Sequence, residues 1–171
     1  MNFVTVAMLS LALLTCACGS DITPANATTE AASPPVALGA TGKATGVDFT
    51  VTEVTTPKQI GPDGAGPKAE TGETFVVVTY TLKNTGSQNL GFLERPALSL
   101  VDPAGRTYSP DEIAGPLASA TMEDPTGMSS DLNPNVSAKA KAAWKVDVKA
   151  FDKAAWRLVV ATDPQLTFNL K

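Results

Sequence analysis

The sequence predicts an all-β domain, an immunoglobulin-like antiparallel sandwich preceded by a signal peptide and a disordered tether. Three observations support this prediction. Several segments alternate apolar and polar residues with a period of two, Gly, Pro, Asn and Asp separate these segments, and no stretch has the apolar spacing of a long helix. The 171 residues have room for one such domain, which we place at residues 44–171.

The first 17 residues have the features of a lipoprotein signal peptide. Residues 3–14 are almost wholly apolar, a run as long as a signal-peptide core and too short to span a bilayer. The run leads into Cys16-Ala17-Cys18, which resembles the lipobox of bacterial lipoprotein precursors. Because Ala17 supplies the small residue before the modified cysteine, we predict lipid attachment at Cys18, with Cys16 as the alternative. Cleavage by an ordinary signal peptidase, releasing a soluble protein, is the competing interpretation.

Residues 18–43 are predicted to be a disordered tether. They are rich in Ala, Thr, Pro and Ser and offer little that a core could bury. With two acyl chains at Cys18, this segment would hold the domain permanently on the extracytoplasmic side of the cell membrane.

The first half of the domain is predicted to contain two strands and a long loop. Residues 44–56 place apolar side chains at alternate positions, so one face is expected to be buried. Residues 58–72 contain too much Gly and Pro for regular structure and are predicted to form a mobile loop. Residues 74–84 are the clearest strand and should be central, since both faces are apolar. One face carries Val76, Val78, Tyr80 and Leu82, and the other carries Phe75 and Val77.

A hairpin and two short strands are predicted further along the chain. The hairpin turns at residues 102–105, where Asp, Pro and Gly are close together. The last two strands are placed at residues 156–161 and 165–170, with a turn at residues 162–164 between them.

Residues 137–158 are ambiguous, because some of their apolar side chains also fit helical spacing. An unbroken alternation favours a strand, in which alanines, Trp144, Val146 and Val148 face the core and lysines face out. We therefore predict a strand here, and we expect Trp144 and Trp156 to anchor the core.

The composition argues against most enzyme chemistry. The chain has no histidine, and its two cysteines both lie beside the leader. This removes the usual zinc ligands, Ser-His-Asp and Cys-His arrangements and internal disulfides. A carboxylate-based hydrolase is the distant catalytic alternative, but nothing in the sequence indicates its substrate cleft. The net charge of −4 argues against a nucleic-acid partner. We expect no enzymatic activity, no catalytic residues and no cofactor.

An acidic segment raises the alternative of a calcium site. No basic residue occurs between Arg106 and Lys139, and oxygen ligands suit a hard cation. The spacing is not that of an EF-hand, so a solvated acidic loop is the competing interpretation and no metal ligand is assigned. The carboxylates of this loop, residues 111–131, belong to Asp111, Glu112, Glu123, Asp124 and Asp131.

Residues 72–86 resemble the signature strand of a bacterial Ig-like domain family. Its members are typically exported lipoproteins of largely unknown function, often filed as telomeric-repeat-binding-factor-like domains, and a secreted immunoprotective mycobacterial antigen has a similar sandwich. The resemblance implies an Ig-like fold and brings no catalytic residues. Asn135 stands where the family usually has a glycine. The further matches, in order, are Leu100-Val101-Asp102 before Gly105 and Tyr108, Leu132-Asn133-Pro134, Trp144-Lys145-Val146-Asp147-Val148 and Leu158-Val159-Val160.

These expectations describe a membrane-anchored, non-catalytic envelope lipoprotein. It would act as a binding or scaffold module for an unidentified protein or other envelope component, through loops or an exposed strand edge. The alternative is a sensor or carrier of calcium or a small ligand, with residues 111–131 as its site.

Overall fold

The computed structural model describes residues 34–61, 66–122 and 130–171, and in these residues the chain forms two four-stranded antiparallel sheets. The strands are β1 (Thr41–Ala44), β2 (Val47–Thr55), β3 (Glu73–Asn84), β4 (Leu98–Val101), β5 (Thr107–Tyr108), β6 (Ser137–Asp147), β7 (Arg157–Val160) and β8 (Leu166–Asn169). A 3₁₀ turn (Phe92–Glu94) and a short helix α1 (Ala114–Ala120) complete the elements. The strand order is β1-β2-β3-β6 in the first sheet and β5-β4-β7-β8 in the second. The predicted β-sandwich is confirmed.

The main core lies between the two sheets. Phe49 of β2 stacks on Tyr80 of β3, with ring centroids 4.8 Å apart, and meets Phe168 of the opposite sheet at 5.5 Å. Trp144 and Trp156 are both fully buried, as predicted. Each indole N–H donates to a backbone carbonyl, so these large apolar side chains bury no unsatisfied donor.

The strand β3 is central in its sheet, as predicted, and its outer face has a core of its own. Phe75 and Val77 pack there with small and aliphatic side chains from α1, from β6 and from the loop after β2, namely Ala114, Ala118, Ala143, Ile60 and Ala69. Residues 58–72 contain no named strand or helix in their described parts, as the prediction of a loop requires. They fold back on themselves, with the Ile60 amide donating to the Pro67 carbonyl at 3.0 Å and the Ala69 amide to the Lys58 carbonyl at 2.8 Å.

The folded domain begins earlier than residue 44, so the end predicted for the tether is wrong. The Val36 amide donates to the Thr167 carbonyl at 2.7 Å, and the Asn169 amide donates to the Val36 carbonyl at 2.9 Å. The predicted first strand is in fact β2, and β1 pairs with it before a turn at Thr45-Gly46. Short segments with non-local partners leave no periodic signal in the sequence. The leader, both cysteines and the rest of the predicted tether lie outside the described residues.

The ambiguous segment is a strand, which confirms the interpretation based on alternation. β6 pairs with β3 along its whole length, from Ser137 opposite Lys83 to Asp147 opposite Glu73. The prediction that Val148 faces the core is wrong, because the strand has ended and the side chain is 45% exposed.

Asn135 adopts a left-handed backbone conformation, with φ of 64°. Asparagine tolerates this region better than other non-glycine residues. Asn135, where the resemblance led us to expect a glycine, is therefore compatible with a glycine-like turn.

Asp102 stabilises the hairpin between β4 and β5 by accepting hydrogen bonds from it. Its Oδ1 accepts hydrogen bonds from the amides of Ala104 and Arg106, both at 2.9 Å. Its Oδ2 accepts from Arg106 Nε at 2.6 Å and from the Tyr108 hydroxyl at 3.2 Å. Desolvation acts to raise the pKa of Asp102, but these hydrogen bonds and the charge of Arg106 outweigh it and lower the pKa.

Acid should weaken the domain through Asp102. Because the pKa is lower in the folded chain, the stabilisation is complete above the unfolded value of about 3.9 and is lost as the pH falls through the folded value. We expect the free energy of unfolding to fall more steeply below about pH 4 in the wild type than in Asp102→Asn. Urea unfolding at a series of pH values measures this difference, and parallel profiles for the two proteins would contradict the assignment.

Candidate functional site: a groove between the sheet edges

Different segments close the two sides of the sandwich. On one side β1 and β8 are the edge strands, and residues 36–44 cross between them. Gly42 lies so close to Phe168 that an added Cβ would come within 2.9 Å of the ring. On the other side β5 and β6 are the edge strands, and the chain after β5 covers only part of the gap with α1. A groove remains on this side.

The helix α1 packs closely on β6 because its buried face consists of small residues, namely Ala114, Gly115, Ala118 and Ser119. Asp111 starts the helix, since its Oδ1 accepts from the amides of Ile113 at 3.0 Å and Ala114 at 2.8 Å. Pro116 lies in the first turn, where its missing N–H is tolerated. The sequence interpretation of residues 111–131 as wholly irregular is therefore wrong.

The Ser119 hydroxyl makes hydrogen bonds with the edge of β6 that a neighbouring strand would otherwise make. Its hydroxyl donates to the Lys141 carbonyl at 2.9 Å and accepts from the Lys141 amide at 2.7 Å. The Asp111 amide donates to the Ala143 carbonyl at 2.7 Å. The middle of this edge is thus already hydrogen-bonded, which opposes the addition of a partner's strand there.

Replacing Ser119 by alanine should destabilise the domain by about 1–3 kcal/mol, because it leaves the amide and carbonyl of Lys141 without their partner. The control is Ser137→Ala at the exposed start of β6, where we expect a change within about 0.5 kcal/mol. Urea unfolding measures both variants. Equal stability of the two variants would show that the hydroxyl of Ser119 does not support the strand edge.

The groove has a volume of about 690 Å³, within the range of ligand-binding clefts. Its inner surface consists of apolar parts of β4 and β6 and the ring of Tyr80. One wall is formed by the 3₁₀ turn and the residue after it, and the other by the chain leading into α1. The residues that line it are Tyr80, Phe92, Arg95, Leu98, Ser109, Pro110, Asp111, Glu112, Gly115, Pro116, Ser119, Ala140, Lys141 and Ala142.

Exposed apolar side chains occur in the two segments that form the walls of this groove, and we call these four side chains its rim. On the wall of the 3₁₀ turn, Phe92 is 49% and Leu93 is 91% exposed. On the opposite wall, Ile113 is 67% and Leu117 is 37% exposed. Ile113 and Leu117 are four residues apart at α1 and therefore share a face. Exposed apolar side chains that form a contiguous patch mark interaction surfaces, which makes these positions candidates for contact with a partner.

Tyr80 and Arg95 are two of the polar residues that line the groove. The Tyr80 hydroxyl makes no hydrogen bond within the described part of the chain. Burial raises the pKa of Tyr80, and the positive charge of Arg95 partly opposes that effect. The Arg95 guanidinium lies 5.4 Å from the centre of the Phe92 ring, and its Nη2 donates to the Ser130 carbonyl at 2.5 Å. The sequence pattern placed Tyr80 on a core-facing side and did not single out Arg95.

The described carboxylates of the acidic segment do not form a metal centre. Asp111 accepts hydrogen bonds from the start of α1, and Asp131 accepts one from the Phe92 amide at 3.2 Å. Among the described residues, no group of three or more His, Cys, Asp or Glu side chains could hold a metal ion. Glu123 and Asp124 lie outside the described residues. The same ranges contain no helix that is long and apolar enough to cross a membrane.

The family model that matches residues 36–166 is described as a domain of unknown function, DUF4352. This chain belongs to that family. It is similar to the uncharacterized protein YxkC of Bacillus subtilis, with 33% identity over 127 residues, which are 74% of this chain and 71% of that protein.

Solved structures with the same fold come from several bacteria. A conserved hypothetical protein from Bacillus anthracis superimposes with a TM-score of 0.64 at 21% identity, over 79% of this chain and 94% of that chain. An uncharacterized β-sandwich protein from Clostridium difficile gives 0.55 at 14% identity, over 81% and 95%. A putative lipoprotein of Bacillus subtilis, ycdA, gives 0.50 at 15% identity, over 75% and 37%. These likenesses agree with the sandwich that the sequence resemblance implied.

Proposed function

We propose that this chain is a lipid-anchored, non-catalytic binding module of the bacterial cell envelope, and that its groove holds an apolar segment of a partner protein. The observation that carries the proposal is the apolar rim beside an apolar groove. Apolar anchors seated in pockets supply most of the affinity in protein interfaces.

The position of the rim favours a protein over a small ligand. Leu93 and Ile113 are largely exposed and are not among the residues that line the groove. A ligand confined to the groove would therefore leave them in water, whereas a protein segment that also crosses the walls would cover them.

Attachment of lipid at Cys18 would place this surface on the extracytoplasmic side of the membrane. The lipobox-like Cys16-Ala17-Cys18 supports this part of the proposal, and so does the structural neighbour ycdA, which is described as a putative lipoprotein.

The groove lies on the side of the domain opposite the point where the described chain begins. The described chain enters the domain beside β8, at the side opposite the groove. The two sides are separated by the width of four strands, about 14 Å.

The proposal includes neither catalysis nor nucleic-acid binding. The sequence without histidine and the net charge of −4 support these two exclusions. The calcium carrier is the weaker alternative, because Asp111 and Asp131 are each engaged by backbone amides.

The test is photo-cross-linking in intact cells, with a photoreactive amino acid at Leu117 of the anchored protein. The control places it at Val148, which is similarly exposed but lies beyond the end of β6. We expect one discrete cross-linked protein from Leu117 and none of the same mass from Val148. The double variant Leu93→Lys and Ile113→Lys should abolish that product while changing stability by no more than about 0.5 kcal/mol per site, because both side chains are exposed. A product that persists in the double variant, or no product at all, would refute the proposal.

A further inference from the structure

We infer that a second cleft in the domain binds the phosphate group of a glycerol phosphate, presented either by a molecule outside the membrane or by the headgroup of a phospholipid. The cleft lies at the end of the sandwich where β2 and β6 end and β3 begins. It has a volume of about 430 Å³ and shares no lining residue with the groove. This site is therefore separate from the surface that carries the proposed function.

Two lysines line this cleft, and backbone carbonyls hold both ammonium groups in place. Lys58 Nζ donates to the Glu73 carbonyl at 2.5 Å. Lys153 Nζ donates to the Val54 carbonyl at 2.8 Å, across 99 residues of sequence. No other lysine in the described ranges has an ammonium group that donates a hydrogen bond to a described residue. Because these two side chains are already ordered, an anion that binds them costs less of the rotamer entropy that free lysines lose.

Each of the two ammonium groups keeps capacity to bind an anion. An ammonium has three N–H donors, and one is used here, so two remain on each lysine. Within the described part of the chain the salt bridge joins Arg106 to Asp102, and neither Lys58 nor Lys153 forms one with a described carboxylate. A phosphate has three strong acceptor oxygens, and lysine binds it as a point charge. Two such lysines in one cleft therefore favour a phosphate.

A carboxylate in the lining indicates hydroxyl groups beside that phosphate. Asp152 Oδ1 accepts a hydrogen bond from the Ala154 amide at 2.8 Å, whereas Oδ2 accepts none from a described residue. An ionised carboxylate is only an acceptor, so it repels a phosphate and accepts from a hydroxyl. Thr56 adds a hydroxyl group of its own to the same lining. A ligand with hydroxyl groups next to its phosphate is complementary to both kinds of charge.

The apolar part of the lining fits a short carbon chain. Val148 is 45% exposed. Phe151 is partly buried, and its ring packs edge-on against Trp156 with centroids 5.3 Å apart. A ligand that covers these side chains removes apolar surface from water, which inorganic phosphate alone does less well. Glycerol phosphate combines the phosphate, the hydroxyl groups and the carbon chain.

The test is titration calorimetry of the full-length anchored protein in phosphatidylcholine nanodiscs, with empty nanodiscs as the blank. We expect glycerol 3-phosphate to bind more tightly than inorganic phosphate, and uncharged glycerol to give no measurable binding. Replacing part of the phosphatidylcholine by phosphatidylglycerol distinguishes the two sources of the phosphate. Weaker binding of added glycerol 3-phosphate would assign the site to the lipid headgroup, and unchanged binding would assign it to a phosphate outside the membrane.

Variants show whether the named lysines hold the phosphate. Lys58→Gln and Lys153→Gln should each weaken the binding of glycerol 3-phosphate about tenfold or more, the effect of losing one charged donor. Lys68→Gln and Lys149→Gln remove the same charge from neighbouring positions outside the lining. These controls should change the affinity by no more than about twofold, because exposed charges outside the cleft are screened. Urea unfolding of each variant checks that it is folded.

The absence of glycerol 3-phosphate binding by the wild type would overturn the inference. Equal losses in the two lysine variants and their two controls would also overturn it, because attraction by charge alone would then explain the binding. Inorganic phosphate that binds as tightly as glycerol 3-phosphate would contradict the assignment of glycerol phosphate.

Discussion

Replacing Trp144 by alanine should lower the free energy of unfolding by about 3–5 kcal/mol, the effect of deleting a large aromatic side chain from a packed core. Trp144 is fully buried between the sheets, and its Nε1 donates to the Tyr108 carbonyl at 3.0 Å. The substitution therefore leaves a cavity and also an unpaired carbonyl. Since small domains are stable by only about 5–15 kcal/mol, the variant should be near the limit of folding.

Urea unfolding followed by circular dichroism measures this loss. Trp144→Phe keeps an aromatic ring and should lose less, and Val148→Ala, beyond the end of β6, should change the stability by no more than about 0.5 kcal/mol. If Trp144→Ala were no less stable than Val148→Ala, the sandwich would not be held together by this core.

Replacing Cys18 by serine should abolish lipid attachment completely, because serine lacks the thiol to which lipid is joined. This prediction follows from the proposed anchor and concerns residues outside the described ranges. Metabolic labelling with an alkyne fatty acid, followed by gel detection of the protein, measures the modification. We expect the label in the wild type and none in Cys18→Ser.

Cys16→Ser is the matched control and should remain labelled. The reverse pattern, with label lost only in Cys16→Ser, would move the anchor to Cys16. Label absent from the wild type would mean that the chain is not a lipoprotein.

The sheets could be predicted where the sequence pattern has one structural explanation. β3 has apolar residues on both faces, which indicates a central strand, and the structure gives each face its own core. β6 alternates small apolar residues with lysines, which excludes a helix once the alternation is followed to Asp147. Val148 continues the alternation although the strand has ended, because the pattern does not mark where pairing with β3 stops.

Elements that depend on distant partners could not be predicted in the same way. Val36 is ordered by hydrogen bonds with β8, near the other end of the chain. The helix α1 has only seven residues and includes Gly115 and Pro116, so its own propensity is weak. Its contacts with β6 supply the stability that its sequence lacks.

The candidate site could not be predicted from the sequence for the same reason. The sequence places Tyr80 on the core-facing side of a strand, whereas in the structure its side chain lines an open groove. That outcome depends on Ala140 and Leu98, which come from two other strands, and on the position of Arg95 after the 3₁₀ turn. Residue types along a single segment do not encode such an arrangement.

The measurement that tests the groove most directly is the identification of cross-linked residues by mass spectrometry. Photoreactive residues would be placed separately at Leu93 and Leu117, which are exposed and belong to the two segments that form the groove's walls. We predict that both cross-links fall in the same short apolar segment of one partner protein. Cross-links scattered over unrelated proteins, or confined to membrane lipid, would contradict a groove that binds one partner.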